Sequence, residues 1–183
     1  MTHVTLAVTG SISAYKAADI TSQLGKLGYS VSVLMTEAAS HFITPLTLQV
    51  LSKNPVSLDL MDEPRPDKVN HIEIGKETNL FLVAPATANT IAKLANGLAD
   101  NMVTATALAL PSHVKKAIAP AMNTKMYENP LTQHNLERLK KIGWGIIEPR
   151  KAVLACGDHG TGALADVNII IEKVKEIINE KTI

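Results

Sequence analysis

An asparagine placed between two methionines is the residue whose setting most clearly suits ligand binding. Asn123 follows an apolar run, 114–119, that is interrupted by two lysines, and it stands between Met122 and Met126 in a proline-bounded segment. A strand end that presents an amide among thioether side chains can bind a polar group of a small molecule. The same segment is consistent with an ordered turn whose methionines fill the core. The residues alone leave both interpretations open.

A histidine and the single cysteine are the candidates for proton transfer. A neutral imidazole exchanges protons near pH 7, and a thiol can donate one. His71 lies in a stretch of alternating polarity, 69–74, where a structural or solvated histidine is the alternative. Cys156 precedes three glycines within six residues, 157–162, a composition typical of a flap that closes over a substrate but also of a simple connector.

The elements that must position these residues alternate between strand and helix patterns. Aromatic residues make up only 3% of the chain, and a core of small aliphatic residues is typical of parallel strands that helices cover on both faces. The pattern predicts one three-layer α/β domain with a central parallel sheet. Pro45 marks a break or a helix start inside the second helical pattern. Strands are predicted at 4–9, 31–36, 80–84, 114–119 and 144–148, and helices at 14–27, 37–52, 88–96, 102–110, 131–142 and 167–179.

The loop after the first strand is a candidate phosphate site. Gly10, Ser11 and Ser13 lead into a helix, whose N-terminus offers free N–H groups and a partial positive charge. Ile12 stands where the dinucleotide fingerprint has its second glycine, so a single terminal phosphate fits better than a pyrophosphate. Simple helix capping is the alternative.

The ends of two further strands carry small and polar residues at the same predicted sheet edge. Thr87, Asn89 and Thr90 follow the third strong strand, and Thr36 ends the second strand. Ligands of open α/β folds bind at this edge. Glu37, just beyond Thr36, could instead hold the ribose of a nicotinamide cofactor, and the residues by themselves leave that alternative open.

Composition and charge exclude several functional classes. The formal net charge of +1, without a long basic block, argues against nucleic acid as the main partner. No apolar segment reaches the roughly 18 to 20 residues that a membrane helix needs. One cysteine cannot form an internal disulfide, which favours a reducing, cytoplasmic location. The alanine-rich pattern at 102–110 predicts a buried helix for which another subunit is a candidate partner.

Taken together, the motifs resemble those of the homo-oligomeric flavin-containing cysteine decarboxylases. The most specific are the Pro-x-Met-Asn-x-x-Met motif at 120–126 and the Cys-Gly pair of the flap, and the similarity covers nearly the whole chain. Many bacterial relatives carry a synthetase domain after the decarboxylase, so this chain resembles the stand-alone bacterial form. The matching segments are 10–16, 70–72, 84–90, 120–127 and 155–157.

The resemblance implies a flavodoxin-like (Rossmann-like) single domain over residues 1–183, with a flexible substrate flap at about 151–165. It implies a homo-oligomer, either a trimer or a dodecamer of four trimers, that binds FMN at subunit contacts. The implied reaction converts 4'-phosphopantothenoylcysteine to 4'-phosphopantetheine in coenzyme A biosynthesis. The thiol is oxidised to a thioaldehyde, carbon dioxide leaves, and the enethiol is reduced, without nicotinamide or metal. A separate phosphopantothenate–cysteine ligase would act upstream.

The resemblance also implies roles for individual residues. His71 would be the base that assists thiol oxidation, Asn123 would hold the substrate carboxylate, and Cys156 would supply the proton when the enethiol is reduced. The implied substrate-binding residues are Met122, Asn123, Lys125 and Met126. The implied FMN-binding residues are Gly10, Ser11, Ser13, Thr36, Phe42, Thr87, Asn89 and Thr90.

Two departures from the family pattern concern substrate recognition. Tyr127 stands where many relatives have tryptophan, and Ala163-Leu164 stands where an Arg-Met pair is expected. Without that arginine, Lys125 or another subunit is left to contact the substrate phosphate.

Three other functions are compatible with parts of the pattern. A peptidyl-cysteine decarboxylase of the lantibiotic type shares the histidine, the Pro-x-Met-Asn motif and the flavin, but Ala155-Cys156-Gly157 favours the coenzyme A pathway. A flavin prenyltransferase of the same fold lacks both the long motif and the cysteine flap. A non-catalytic regulatory or binding relative would have no use for His71, Asn123 and Cys156 together.

Overall fold

A computed structural model describes residues 1–180, so the last three residues of the predicted 1–183 domain lie outside the described part. The central sheet contains six parallel strands, β1 (His3–Val8), β2 (Ser30–Met35), β3 (Val56–Ser57), β4 (Leu80–Ala86), β5 (Lys115–Pro120) and β6 (Trp144–Ile146). Their order is β3-β2-β1-β4-β5-β6. This is the order of a doubly wound Rossmann sheet, whose topological switch point lies between β1 and β4.

Helices cover both faces of the sheet, and an antiparallel hairpin of β7 (Arg150–Val153) and β8 (His159–Ala163) forms a separate small sheet. No helix within residues 1–180 combines the length and the apolar character needed to cross a membrane. The helices are a 3-10 helix (Ile12–Lys16), α1 (Ala17–Lys26), α2 (Glu37–Ser40), α3 (Pro45–Ser52), α4 (Asn70–Glu77), α5 (Ala88–Asn96), α6 (Met102–Leu108), α7 (Thr124–Glu128), α8 (Pro130–Lys141) and α9 (Val167–Asn179).

The central strands are buried on both faces, and alternate residues enter two separate cores. Leu6 and Leu82 pack in the core under α1, α3 and α9, while Phe81 and Val83 pack in the core under α5, α6 and α8. Phe81 meets Trp144 edge to face, with ring centroids 6.2 Å apart. Burial on both faces explains why the strands read as continuous apolar runs in the sequence.

The structure confirms the predicted three-layer parallel α/β fold. The five predicted strands and most of the predicted helices lie within a few residues of their predicted positions. The helical pattern at 37–52 is divided into α2 and α3, and Pro45 is the first residue of α3, capped by Thr44. Proline suits this position because its missing N–H would be unsatisfied there in any case.

Several segments differ from the sequence-based expectation. The alternating stretch that contains His71 is part of helix α4, and the motif that contains Asn123 includes the short helix α7. The predicted flap is the hairpin β7–β8, a regular element that its glycine content did not predict. Helix α6 buries Met102 and Val103 within its own chain, so these side chains need no second subunit to cover them.

Candidate active site

A cleft of about 560 Å³ opens at the carboxyl edge of the sheet, next to the topological switch point. This volume lies in the usual range for small-molecule sites. The wall contains no acidic side chain among its described residues, and it includes two cations, Lys16 and Arg150. The cleft therefore suits an anionic ligand. Its wall comes from four segments, the loops after β1 (10–16), β4 (87–89) and β5 (121–126) and the hairpin (150–164).

The loop after β1 lies close against α2 because residue 10 has no side chain. A Cβ atom on Gly10 would be 2.5 Å from the Cβ atom of Ala38. Ser11 caps the 3-10 helix, since its hydroxyl accepts a hydrogen bond of 3.2 Å from the backbone N–H of Ser13. Both serines line the cleft. Ser11 therefore caps the helix and also lines the cleft, so capping does not rule out the phosphate site that the sequence offered as the alternative.

The loop after β4 is built in the same way. The hydroxyl of Thr87 accepts a hydrogen bond of 3.2 Å from the N–H of Thr90 and so caps α5. Thr87 and Asn89 line the cleft, whereas Thr90 is buried in the helix. The N-terminus of α5 thus faces the cleft with its partial positive charge.

A buried threonine that the sequence analysis missed joins these two loops. The hydroxyl of Thr9 donates a hydrogen bond of 2.6 Å to the carbonyl of Pro85 and accepts one of 3.0 Å from the N–H of Thr87. Thr9 is fully buried. The available signal was a polar residue at the end of a mostly apolar strand. Thr9 fixes the spacing of the two loops across the switch point.

Asn123 is the N-cap of α7, and the cap sets the orientation of its amide. Its side-chain oxygen accepts a hydrogen bond of 2.8 Å from the N–H of Lys125. Its amide nitrogen then points toward the hairpin, 3.2 Å from the sulfur of Cys156 and 3.3 Å from a carboxylate oxygen of Asp158. The Asn123 side chain therefore directs its two N–H donors toward the hairpin turn, while its oxygen acceptor is occupied by the cap of α7.

The hairpin docks on the Asn123 loop through two glycines. The N–H of Met122 donates a hydrogen bond of 2.9 Å to the carbonyl of Gly162. A Cβ atom on Gly162 would lie 2.2 Å from the carbonyl oxygen of Met122, and one on Gly160 would lie 2.4 Å from the hydroxyl of Thr124. These glycines permit a close approach of two backbones.

The turn of the hairpin places the thiol beside the amide. The N–H of Leu154 donates a hydrogen bond of 2.8 Å to the carbonyl of Asp158, and Gly157 has φ of +87° within this turn. Glycine adopts such a conformation without strain. Cys156 lies between these residues as a free, exposed thiol.

Arg150 was not singled out from the sequence, yet it lines the cleft. Its Nε lies 3.2 Å from a carboxylate oxygen of Asp166 and donates to the carbonyl of Leu164, also at 3.2 Å. These two contacts fix the position of the Nε atom of the Arg150 guanidinium. Arg150 thus supplies a cation to the hairpin in which Ala163 replaces the expected arginine.

Tyr127 connects α7 to the segment that enters the hairpin. Its hydroxyl donates a hydrogen bond of 2.8 Å to a carboxylate oxygen of Glu148, two residues before β7 begins. Burial and this carboxylate raise the pKa of Tyr127 to about 12. Tyr127 is therefore a neutral hydrogen-bond donor to Glu148 at neutral pH.

Some of the residues implied by the resemblance lie outside the cleft wall. Thr36 caps α2, and Phe42 is 47% exposed. Lys125 contributes its backbone N–H to the Asn123 cap and is not part of the wall. His71 lies near the start of α4, and its buried Nδ1 has no hydrogen-bond partner among residues 1–180. The residues brought together in the wall are Gly10, Ser11, Ser13, Thr87, Asn89, Met122, Asn123, Met126 and Cys156.

Two curated proteins resemble this chain along most of its length. A probable phosphopantothenoylcysteine decarboxylase of Streptococcus mutans is 62% identical over 173 residues, which are 94% of this chain and 97% of that protein. The coenzyme A biosynthesis bifunctional protein CoaBC of Bacillus subtilis is 43% identical over 180 residues, which are 98% of this chain but 44% of that protein. The chain thus spans nearly all of the first relative and less than half of the second.

Solved structures share the fold and the arrangement of elements. A PPC decarboxylase mutant complexed with pantothenoylaminoethenethiol superposes with a TM-score of 0.88 and 33% identity, over 98% of this chain and 99% of that chain. The FMN-dependent cysteine decarboxylase SpaF superposes with a TM-score of 0.85 and 27% identity, over 97% and 95%. Residues 1–179 match the protein family described as Flavoprotein. The chain therefore belongs to the flavoprotein family.

Proposed function

We propose that this protein is an FMN-dependent decarboxylase that converts 4'-phosphopantothenoylcysteine to 4'-phosphopantetheine. One observation carries the proposal: the Asn123 amide, an unpaired thiol and a cleft without acidic wall residues meet at the carboxyl edge of the sheet. The near full-length likeness to the streptococcal protein and to PPC decarboxylase supports this choice of substrate.

The residues of the cleft suit FMN. The hydroxyls of Ser11, Ser13 and Thr87 and the N-terminus of α5 are donors for one phosphate, and Ile12 and Met122 offer apolar surface to a ring system. When bound, FMN would accept a hydride from the carbon that bears the substrate thiol and later return it. Glu37 is exposed on α2 and is not part of the wall, so the ribose contact of a nicotinamide cofactor has no support.

The amide of Asn123 suits a carboxylate that must leave. It donates hydrogen bonds but carries no charge, so it can orient the substrate carboxylate without the strong stabilisation that an arginine or lysine would give. Weak stabilisation of the ground state is an advantage when the carboxylate is converted to neutral carbon dioxide.

Cys156 is placed to donate a proton next to that carboxylate. Its sulfur lies 3.2 Å from the amide nitrogen that would bind the carboxylate, and the turn holds it at the cleft wall. The thiol can therefore reach the carbon atoms of the enethiol formed after decarboxylation. This geometry supports its assignment as the proton donor of the reductive step.

We infer that His71 acts in the cleft of a second copy. The residue is not part of its own cleft wall, and its Nδ1 has no partner among the described residues. Because α4 leads directly into β4, its first residues point toward the carboxyl edge, where a second copy could be reached. We propose a homotrimer or a dodecamer of four trimers, in which Phe42 would contact FMN at a subunit interface.

Complementation between inactive variants tests this arrangement. His71→Asn and Asn123→Asp should each be inactive alone, whereas co-expressed and co-purified chains should recover part of the activity because mixed contacts contain one intact pair. No recovery in mixed oligomers would overturn the assignment of His71 to a neighbouring subunit. A cytoplasmic location and an upstream ligase that supplies the substrate complete the proposal; the free Cys156 thiol suits a reducing compartment.

The reaction is tested by incubating the FMN-loaded protein with two substrates. Phosphopantothenoylcysteine should lose carbon dioxide and give phosphopantetheine, detected by mass spectrometry, without added NAD. A peptide with a C-terminal cysteine should react slowly or not at all. Turnover of the peptide alone would replace the proposed function by peptidyl-cysteine decarboxylation, and no turnover of either substrate would refute both.

A further inference from the structure

Both N–H groups of the Asn123 amide already face acceptors of the hairpin turn. Its nitrogen lies 3.2 Å from the Cys156 sulfur and 3.3 Å from a carboxylate oxygen of Asp158. A primary amide nitrogen has only two hydrogens, and the oxygen of this amide is occupied by the cap of α7. A substrate carboxylate can therefore bind Asn123 only by displacing one of the two partners.

The two partners differ in how easily they give way. Thiol sulfur is a weak acceptor, whereas a carboxylate oxygen is a strong one. If the substrate displaces the Cys156 contact, its carboxylate lies beside the Asp158 carboxylate on the same amide. If it displaces Asp158, the substrate replaces one charge–amide contact by another. In both cases the negative charge of Asp158 weakens binding of the substrate carboxylate to the Asn123 amide.

The charged groups near the cleft do not cancel this opposition. Arg150 is held by Asp166 at the base of the hairpin, and Lys16 belongs to the loop after β1. Neither cation forms an ion pair with Asp158. Asp158 itself forms no ion pair within 4.0 Å in residues 1–180.

We propose that Asp158 is a specificity-determining residue, because its carboxylate competes with the substrate carboxylate for the Asn123 amide and this repulsion ends when carbon dioxide leaves. The inference rests on the proposed function, since it takes Asn123 as the carboxylate site. The product has no carboxylate, so Asp158 can return to the amide while the product is still bound. Asp158 thus weakens binding of the substrate but not of the product, a form of ground-state destabilisation.

The test is equilibrium binding to the FMN-loaded protein, measured by calorimetry. The first ligand is the serine analogue of the substrate, which keeps the carboxylate but has a hydroxyl in place of the thiol. The second ligand is 4'-phosphopantetheine. In Asp158→Asn the side chain keeps its shape and can still accept from Asn123, but it loses its charge. The exposed Asp62→Asn, in the 58–68 loop, is the control for the same change in net charge.

Asp158→Asn should bind the serine analogue about fivefold more tightly than the parent protein, the upper end for like charges at solvent-exposed positions. The affinity for phosphopantetheine should change less than about twofold, and Asp62→Asn should change neither. The gain for the analogue should shrink as the salt concentration rises, because salt screens the repulsion.

Equal or weaker binding of the analogue by Asp158→Asn would overturn the proposal. So would a parallel change for both ligands, because a merely structural role of the turn would affect them alike. Turnover of phosphopantothenoylcysteine by the parent protein distinguishes failure of the Asp158 inference from failure of the proposed function. If the parent turns over the substrate but Asp158→Asn leaves the ratio of the two ligand affinities unchanged, only the inference about Asp158 is refuted. If the parent does not turn over the substrate, both the proposed function and this inference are refuted.

Discussion

Replacing Gly162 by alanine should detach the hairpin from the loop that carries Asn123 while the sheet stays folded. A Cβ atom at this position would lie 2.2 Å from the carbonyl oxygen of Met122 and 3.3 Å from the carbonyl carbon of Asn123. Both are backbone atoms, so no change of side-chain rotamer relieves the clash. The φ angle of Gly162 is +155°, which is unfavourable for residues with a side chain.

The size of the effect follows from two contributions. Overpacking of this kind costs about 1–3 kcal/mol. Separation of the two backbones also removes the hydrogen bond between Met122 and Gly162, which contributes about 0.5–1.5 kcal/mol net. The docked hairpin therefore loses about 1.5–4.5 kcal/mol. At about 1.4 kcal/mol per factor of ten, a ligand that needs the docked hairpin should bind at least about tenfold more weakly.

The assay is calorimetric binding of the serine analogue to FMN-loaded protein, with thermal unfolding measured in parallel. Gly25→Ala is the matched control, because its Cβ atom would meet nothing within 4 Å in helix α1. That variant should keep the parent affinity and gain up to about 1 kcal/mol in stability. If Gly162→Ala binds the analogue within twofold of the parent, the docked hairpin is not part of the binding site and the reasoning is refuted.

Three further changes test other parts of the site. Thr9→Val removes the hydroxyl that joins two loops and should lower the free energy of unfolding in urea by about 1–3 kcal/mol, whereas an unchanged midpoint would contradict its bridging role. Burial and Glu148 raise the pKa of Tyr127 to about 12. The neutral Tyr127 therefore stabilises the folded protein fully below about pH 10, the pKa of tyrosine in the unfolded chain, and this stabilisation is lost as the pH rises toward 12. In an absorbance titration one of the three tyrosines should ionise near pH 12, and Tyr127→Phe should abolish that step; its persistence would assign it to another residue. Cys156→Ser should still release carbon dioxide but accumulate the enethiol, detected by mass spectrometry, in an amount equal to the bound FMN, which would keep the two electrons unless dioxygen takes them. Normal phosphopantetheine at the normal rate would remove Cys156 from the reductive step.

The sheet could be predicted because its strands are buried on both faces. Strands such as β4 read as short apolar runs without polar alternation, and glycine or capping residues mark the helix ends. Helix α4 could not be predicted in this way. Its first half lies in a stretch of alternating polarity, and it is stabilised by packing, with Ile74 against the core and Gly75 close to the backbone of Ala109. Tertiary contacts of this kind override a short local pattern.

The site could be predicted only in part, because its geometry depends on contacts between distant segments. The motifs identified Asn123 and Cys156, but no local pattern states that a hairpin brings them within 3.2 Å. Glycines in the flap were interpreted as a sign of mobility, which stays a prediction, and no local pattern indicated that Gly160 and Gly162 also permit a close backbone approach. Thr9 and Asp158 were missed because each acts through partners that are distant in the sequence, Pro85 and Thr87 for Thr9 and Asn123 for Asp158.

In the hairpin, the residues that attach it to the Asn123 loop differ from the turn residues that line the cleft. Attachment depends on two glycine positions and a backbone hydrogen bond in β8, while the turn at 154–158 contributes Leu154, Ala155 and Cys156 to the cleft wall. Changes in the turn therefore need not disturb attachment. Exchange of these five residues offers a route to new acidic thiol substrates on an unchanged scaffold, and the same separation would let natural relatives diverge in substrate while they keep the sheet, the switch point and the Asn123 loop.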